Sequence, residues 1–590
     1  MSATETFRAA RDQLLSYRTD IQSARENFRW PEFEHFNFAL DWVDHVAYET
    51  ERGDHNALVI VEEDGSSTRL TYRELADRSS QVANWLRSLG VQRGDGVMVM
   101  LNNQVELWET MLAGIKLGAV LLPTTVMLSP HDLQERIDRS EARWVVVNPD
   151  NAEKFEAVTG EMTVITTGTT RSDTEAQNVA HPRFSYVASF DADIAFTPDQ
   201  PTPADDTVLL YFTSGTTSRA KMVAHSHLSY PVGHFTTVYW IGLEPGDVHL
   251  NVASPGWAKH AWSNFFAPLI AEATIFLYNY SRFDAEKLMQ VMDDEGVTSF
   301  CAPPTVWRML IQADLTKLKN PPDKVVAAGE PLNPRVINKV REDWNRDIRD
   351  GFGQTESTLQ IANTPGQELK PGSVGRPLPG FEVVLIDPAT DELIEGAGEG
   401  EVCLVAAPRP VGLMKGYYKD PEKNDKAFRG GYYHTGDIME RDEQGIFTYI
   451  GRADDVFKAS DYKLSPFELE SAVIEHPAVA EVAVVPSPDP IRLSVPKAYV
   501  VLAAGHEPTA ETAASIFAHT STVLPPYAKI RRLEFAELPK TVSGKIRRVE
   551  LRAKEREFHG EEGELTDQAR ATRTSTEGYN HEFSDTDVTA

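Results

Sequence analysis

The sequence predicts an α/β fold with a large N-terminal part and a compact C-terminal one, and three observations predict it. Short apolar runs alternate with segments of helical periodicity from about Thr71 to Ala328, the pattern of parallel βαβ units. Several of those runs stop at turns of glycine, proline and small residues, as at Ala302-Pro303-Pro304 and Gly329-Glu330-Pro331. In open α/β sheets, ligands sit outside such carboxyl ends. From Gly375 to Tyr449 short strands alternate with glycine-rich turns, which marks a small β-subdomain. The domains expected are 1–451, with the β-subdomain at about 375–451, then 452–557, then an acidic disordered tail at 558–590.

Taken in order, Glu5 to Arg25 reads as a polar helix, and Phe28, Trp30, Phe33, Phe36, Phe38 and Trp42 as an arm packed on the body. Leu75, Val82, Ala83, Leu86 and Leu89 fall near helical spacing between Thr71 and Gly90. Val97 to Leu101 is a buried strand, Val105 to Leu117 a helix ended by Gly118, and Ala119 to Pro123 and Trp144 to Val147 further strands. Residues 168–206 are a polar connection leading to the buried strand Val208 to Phe212. A second α/β unit follows, with strands at His249–Val252, Ala273–Tyr278, Thr298–Cys301 and Val325–Ala328, a helix carrying His260, Trp262 and Phe265, and another helix from Ala285 to Glu295. Beyond a boundary at Gly451 to Asp455 lie a helix from Pro466 to Glu475, strands Val482–Val485 and Lys497–Leu502, and a helix from Ala510 to Thr520. There is no internal repeat.

Composition excludes some functions. Hydrophobic residues make up 41% of 590, ample for large cores. A net charge of −30 argues against a nucleic-acid or anionic-membrane partner. An anionic nucleotide must then be held by local cations. Cys301 and Cys403 are the only cysteines and lack metal-ligand spacing, so buried thiols in a reducing compartment are expected. The first residues have no apolar core of a signal peptide, and no window approaches the ~18 apolar residues of a membrane span. The expectation is a soluble cytoplasmic enzyme, monomer or homodimer.

The chemistry is densest at Thr213-Ser214-Gly215-Thr216-Thr217-Ser218-Arg219-Ala220-Lys221, which follows the buried strand. Gly215 permits a turn where a Cβ would clash. The hydroxyls and backbone N–H groups, with the Lys221 charge, form a phosphate cradle. It is not a Walker A loop, because Met222-Val223-Ala224 reads as strand where that motif opens a helix. A Ser/Thr-rich surface loop is the commoner meaning of such composition; it is the order of residues that carries weight. The second stretch is Asp350-Gly351-Phe352-Gly353-Gln354-Thr355-Glu356. Its glycines let backbone approach a nucleotide, Phe352 can stack on adenine, Thr355 can bond an α-phosphate oxygen, and Glu356 can hold Mg²⁺. Asp437 has two oxygens to accept a pair of sugar hydroxyls, although an Asp after Gly is most often a turn residue. Arg452 and Lys545, taken alone, read as solvated surface charges.

In combination these segments resemble the adenylate-forming superfamily: its phosphate loop at Thr213 to Lys221, its [YF]-G-Q-T-E at Phe352 to Glu356, its ribose aspartate at Gly436-Asp437, its arginine and hinge at Arg452 and Asp454, and its C-terminal lysine loop at Pro539-Lys540-Thr541-Val542-Ser543-Gly544-Lys545. The resemblance runs from about Asp41 to about Arg552, and is nearest to the medium-chain acyl-CoA synthetases. It implies a large N-terminal domain of two α/β sheet subdomains plus a β-subdomain, then a small mobile α+β C-terminal domain. It implies ATP, Mg²⁺ and coenzyme A. Carboxylate attacks the α-phosphorus of ATP, pyrophosphate leaves, and a CoA thiol then takes the acyl group from acyl-AMP.

By the same resemblance, Lys545, Lys221, Thr216 and Glu356 are catalytic, with Thr216 and Glu356 at the metal. Thr213, Ser214, Gly215, Thr217, Gly329, Glu330, Pro331, Asp350, Gly351, Phe352, Gly353, Gln354, Thr355, Asp437 and Arg452 complete the nucleotide site. Ser460, Asp461, Tyr462, Lys463 and Arg492 border the CoA channel, and Asp454 is the hinge. Trp257, His260, Gly329 and Gly353 line the acyl pocket, with Phe265, Ala302, Pro303 and Leu359 as further candidate walls; Trp257 and Phe265 read equally well as ordinary core. Gly353 stands where acetate-specific relatives carry Trp, so an open pocket for a medium-chain or aryl acid is expected. Ser218, Ala220 and Asp461 depart from the family pattern. Two other readings stay open: an adenylating ligase that loads a carrier-protein phosphopantetheine, and a non-catalytic acyl- or nucleotide-binding relative.

Overall fold

The computed structural model describes residues 1–168, 180–213, 220–330, 332–459, 462–540, 546–560 and 582–585. These divide into two compact units, one of Met1–Val384, Cys403–His434 and Gly445–Phe447, the other of Leu385–Val402, Thr435–Gln444 and Thr448–Ala590. The fold is α/β, with a large N-terminal part of several sheets and a small C-terminal α/β part.

The first unit is built on two sheets. The eight-stranded sheet runs in the order Gly416–Tyr417, Lys221–Ser226, Thr207–Thr213, Val120–Pro123, Gly96–Met100, Trp144–Val147, Thr163–Thr166, Arg183–Ser185. Its strands are parallel from Thr207–Thr213 onward, and the Lys221–Ser226 strand is antiparallel to both of its neighbours. The nine-stranded sheet runs Arg376–Pro377, Leu359–Ala362, Arg349–Gly353, Lys324–Ala328, Ser299–Ala302, Val248–Asn251, Thr274–Tyr278, Asn56–Val61, Ser67–Thr71. The six strands from Arg349–Gly353 to Asn56–Val61 are parallel. Their central residues are buried, as expected of strands covered on both faces. Leu250, Phe276, Phe300, Val325, Trp307 and Trp344 form the core on one face of this sheet.

Local sequence explains the helices that cover the sheets. Tyr72–Leu89 begins at a capping box, Thr71 with Glu74, and ends at Gly90 in a left-handed conformation. Val105–Leu117 likewise ends at left-handed Gly118. The single N-terminal helix expected from Glu5 to Arg25 is two, Ala3–Ser16 and Ile21–Asn27, because Asp20 caps the second by accepting from the Ser23 N–H. Phe36, Phe38 and Trp42 behind them are buried, and Phe7 stacks on Phe36 at 5.3 Å, so the arm is packed as expected.

The second unit holds most of a five-stranded sheet, in the order Leu393–Ile394, Val383–Ile386, Gly398–Val405, Tyr432–Arg441, Phe447–Arg452. It also holds the hairpin Phe457–Ala459 with Tyr462–Leu464, and a sheet ordered Val479–Asp489, Leu493–Leu502, Arg532–Phe535, Glu582–Ser584. The last of these strands corrects one expectation. Glu582–Ser584 lies in the stretch whose composition predicts disorder, yet it pairs antiparallel with Arg532–Phe535. Phe583 is buried against Phe535 at 5.6 Å, and the Glu582 carboxylate meets Lys497 at 2.7 Å. One aromatic and one buried counter-ion anchor a segment that composition alone marks as unfolded. Among the described residues no helix is long and apolar enough to cross a membrane.

Candidate active site

The strand Thr207–Thr213 leads into the hydroxyl-rich stretch of the sequence, and Lys221–Ser226 follows it, paired so that Thr213 faces Lys221. Ser214, Gly215, Thr216 and Thr217 lie outside the described residues, as do Pro331, Ser460, Asp461 and Lys545. At the strand ends that flank the stretch, three groups meet. The Lys221 ammonium lies 4.0 Å from Glu356 Oε1 and 3.4 Å from the Tyr417 hydroxyl. Tyr417 donates to Glu356 Oε1 at 3.0 Å. Glu356 is buried, its second oxygen takes no hydrogen bond from any described residue, and Lys221 keeps 28% of its side chain exposed.

Three ties hold Glu356 there. Gln354 to Thr358 is the turn between the antiparallel strands Arg349–Gly353 and Leu359–Ala362. His225, on the strand that starts at Lys221, bonds the Thr355 carbonyl through Nε2 at 2.7 Å and Ser229 Oγ through Nδ1 at 3.0 Å. Burial lowers the His225 pKa to about 3, so the ring is neutral, with Nε2–H donating and Nδ1 accepting. The Met414 N–H donates to the Glu356 carbonyl at 2.8 Å, and Gly416–Tyr417 pairs with Val223–Ala224. Sequence reasoning missed Tyr417. The only signal was an aromatic after Gly416, and nothing local pairs it with a carboxylate 61 residues away.

Other expected residues lie in the same unit. The Gln354 side-chain oxygen accepts from the Tyr433 hydroxyl at 2.8 Å. Asp350 is buried and accepts from the Gly351 and Leu332 N–H groups at 2.9 and 3.1 Å; burial raises its carboxyl to about 7. Phe352 and Gly353 are half-buried at the end of their strand. Gly329 is left-handed (φ 111°), and Glu330 lies 3.7 Å from Arg308. His260 is buried, bonds Asn103 at 2.9 Å, and is kept neutral by burial. Trp257 is half-buried, immediately before the helical turn Ala258–Ala261.

Gly353 is closely packed. A Cβ there would meet the Thr358 carbonyl at 2.6 Å and the Trp262 ring at 2.8 Å. The indole of Trp262, anchored through Nε1 to the Tyr230 hydroxyl at 2.6 Å, therefore packs against the glycine.

In the second unit, Asp437 is buried and accepts from Tyr449 at 3.0 Å and from Arg452 Nη1 at 3.2 Å. Arg452 also donates to the Thr435 carbonyl at 3.2 Å and lies 3.6 Å from Asp454. Gly436 is left-handed, and a Cβ on it would meet the Arg452 guanidinium at 2.9 Å, so the glycine lets the arginine cross the turn. Tyr462 stacks on Tyr527, centroids 4.4 Å apart. Arg492 is exposed at a hairpin turn, its N–H bonded to Asp489. Lys463 pairs through its backbone with Lys458; its side chain lies outside what is described.

The sequence pattern of AMP-binding enzymes matches residues 44–418. The chain belongs to the AMP-binding enzyme family. The pattern of the family's C-terminal domain matches residues 468–545. Among curated relatives, 4-hydroxybutyrate–CoA ligase 1 of Metallosphaera sedula is 40% identical over 88% of this chain and 91% of its own length. The mitochondrial acyl-coenzyme A synthetase ACSM3 of Mus musculus is 36% identical over 93% and 95%. Among solved structures, a Brucella canis acyl-CoA synthetase is 32% identical with a TM-score of 0.68, covering 92% of this chain and 99% of its own. The anthranilate CoA ligase AuaEII with anthranoyl-AMP is 26% identical with a TM-score of 0.78, covering 89% and 98%. As a member of this family the chain is an AMP-forming acid–thiol ligase. It activates a carboxylic acid with ATP to acyl-AMP and passes the acyl group to CoA. CoA ligation thus prevails over carrier-protein loading and over non-catalytic binding.

Proposed function

We propose that the trio of Lys221, Tyr417 and Glu356 is the fixed half of the adenylation machinery, and that the acid it serves is a medium-chain or aryl carboxylic acid lying by Trp257, His260 and Gly329. The observation that carries this reading is the trio itself: a part-exposed ammonium and a buried carboxylate, 4.0 Å apart, at the end of the strand that follows the hydroxyl-rich stretch. When the carboxylate of the acid attacks the α-phosphorus, negative charge grows on the phosphoryl oxygens. Lys221 and the hydroxyls of Thr213, Ser214, Thr216 and Thr217 stabilise it, with Thr355 on an α-phosphate oxygen and Lys545 supplying a second cation. The second oxygen of Glu356 is a hard donor suited to Mg²⁺, and Thr216 Oγ is another; the ion would supply charge neutralisation at the phosphates.

Asp437 accepts the ribose hydroxyls, and Arg452, already bonded to it, keeps that carboxylate oriented. Phe352 gives adenine an aromatic face, with Gly329, Glu330, Pro331, Asp350, Gly351, Gly353 and Gln354 around the base. Rotation about Asp454 exchanges the Lys545 loop for a thiol channel lined by Ser460, Asp461, Tyr462, Lys463 and Arg492. The buried thiols of Cys301 and Cys403 suit a reducing compartment such as the cytoplasm. Relatives that act on 4-hydroxybutyrate and anthranilate support a pocket larger than acetate needs.

The test separates the two half-reactions. Acid-dependent entry of labelled pyrophosphate into ATP reports adenylation, and CoA consumption from synthetic acyl-AMP reports thiolation. Lys545→Ala is expected to lower the first by ~10²–10³-fold and to spare the second; equal loss in both would sink the division of labour.

A further inference from the structure

A polar patch lies outside the nucleotide machinery, on one face of the nine-stranded sheet. His249 and Ser299 share that face, because His249 bonds Ser299 Oγ at 2.8 Å on one side and Ser263 Oγ at 2.8 Å on the other. Side chains alternate along a strand, so Asn251 and Cys301, two residues further along each strand and in register with each other, point the same way. Leu250 and Phe300 point to the opposite, hydrophobic core. The segment covering the polar face is Ala258–Phe266, which carries Lys259, Ser263 and Asn264.

Lys259 is the cation of this patch. Its ammonium donates to the carbonyl of Ala328, the last residue of its strand, at 2.9 Å. Among the described residues no carboxylate lies within ion-pair distance of it, although Glu330, Asp350 and the Cys301 thiol act on it from further off. Burial depresses its pKa, yet the side chain is only part-buried. Among the described residues, one of its three N–H donors is used. The ends of the Ser299–Ala302, Lys324–Ala328 and Arg349–Gly353 strands lie beside it, the place where open α/β sheets receive ligands.

Asn251 adds an independent sign. It is 2% exposed, and among the described residues neither its side-chain oxygen nor its nitrogen has a hydrogen-bond partner. Asn264, fully buried, donates to the Asn251 carbonyl at 3.3 Å, while its own side-chain oxygen has no partner among the described residues. An unmade bond on a buried amide is costly, and such groups call for an explanation such as a visiting polar partner.

We infer that Lys259, Asn251 and Asn264 form a receptor for an oxygen function on the acyl chain, so that the preferred acid carries a hydroxyl beyond its reacting carboxylate. The inference rests on the proposed seat of the acyl group by Trp257, His260 and Gly329, since Lys259 lies between the first two in sequence and bonds the residue before the third. A lysine ammonium and two amides match a hydroxyl as donor and acceptor together. A plain hydrocarbon chain would add no partner to the Asn251 amide, the Asn264 side-chain oxygen or the remaining Lys259 donors, and sites built around such bonds reject the analogue that lacks them.

The test uses the full chain and matched acids that differ by one hydroxyl: butanoate with 4-hydroxybutanoate, and hexanoate with 6-hydroxyhexanoate. The wild type is expected to favour the hydroxylated member of at least one pair by about tenfold or more in kcat/KM for pyrophosphate exchange. Lys259→Met is expected to lower that value by ~10–100-fold for the hydroxy acid and to leave the plain acid within about twofold. Lys259→Arg should restore part of the preference. Equal rates on both members in the wild type, preference for the plain acid, or an equal loss on both in Lys259→Met would overturn the inference while leaving the adenylation reading intact. Exchange with no acid at all would overturn both. Should Lys259→Met fail to fold, the wild-type preference alone decides.

Discussion

Lys497 and Lys221 are the same side chain put to opposite ends. Lys497 is 1% exposed and meets Glu534, Glu555 and Glu582 at 2.8, 2.7 and 2.7 Å. Burial works against its charge, but the three carboxylates more than offset this and push its pKa up. Glu555 is shared further with Tyr499 and Ser487. Every donor is spoken for, and the cluster ties three segments of the second unit together. Lys221 is 28% exposed and has one carboxylate at 4.0 Å and one hydroxyl at 3.4 Å. A saturated charge holds structure, whereas a half-satisfied one is available to a ligand. Lys259 is of the second kind, with a neutral carbonyl as its hydrogen-bond partner among the described residues.

The contrast can be broken by experiment. Lys497→Met would leave three carboxylates without their cation in a buried site. A loss of ~3–5 kcal/mol of stability is expected, read by urea unfolding, with turnover per folded molecule unchanged. Lys221→Met should do the reverse. Pyrophosphate exchange should fall by ~10²–10³-fold, with the unfolding midpoint close to wild type. If both variants lost stability alike, the distinction between a structural and a working cation would be wrong.

Asp350 sharpens it further, because it is a buried carboxylate with backbone N–H partners and, among the described residues, no cation at ion-pair distance. Its folded-state carboxyl is raised to about 7, so the folded chain binds this proton more tightly than the unfolded chain does. The stabilisation is complete below its unfolded value of ~4 and is lost as pH rises through about 7. Relative to Asp350→Asn, the wild type should therefore lose stability across that window by no more than ~1.4 kcal/mol per pH unit. Parallel stability curves would refute this. The smallest effect is expected from Tyr417→Phe. It removes one bond to Glu356 and one to Lys221 and should slow exchange about tenfold or less, with Mg²⁺ dependence shifted because the Glu356 carboxylate is less firmly held.

Much of this was legible in the chain. The Tyr72–Leu89 helix announces itself through Thr71, Glu74 and Gly90, because capping is settled within a few residues. Apolar runs such as Thr207–Thr213 and Lys324–Ala328 are strands where periodicity places them. Lys221 and Glu356 were named as partners in one reaction from their motifs, and the structure sets them side by side. The break between Ala3–Ser16 and Ile21–Asn27 was missed because Asp20 competes as a cap within an otherwise helical pattern.

What the sequence determined by itself was local: element type, the order of strands and helices, and the kinds of residue that phosphate and nucleotide chemistry require. Tertiary structure alone decided who meets whom. It brought Tyr417 to Glu356, laid Trp262 against Gly353, stranded the amide of Asn251 on a buried face, and recruited Glu582 from an acidic tail to Lys497. The physical reason is range. Capping, periodicity and turn chemistry act over one or two turns of chain, while the satisfaction of a buried charge depends on segments that only packing brings within a hydrogen bond of one another.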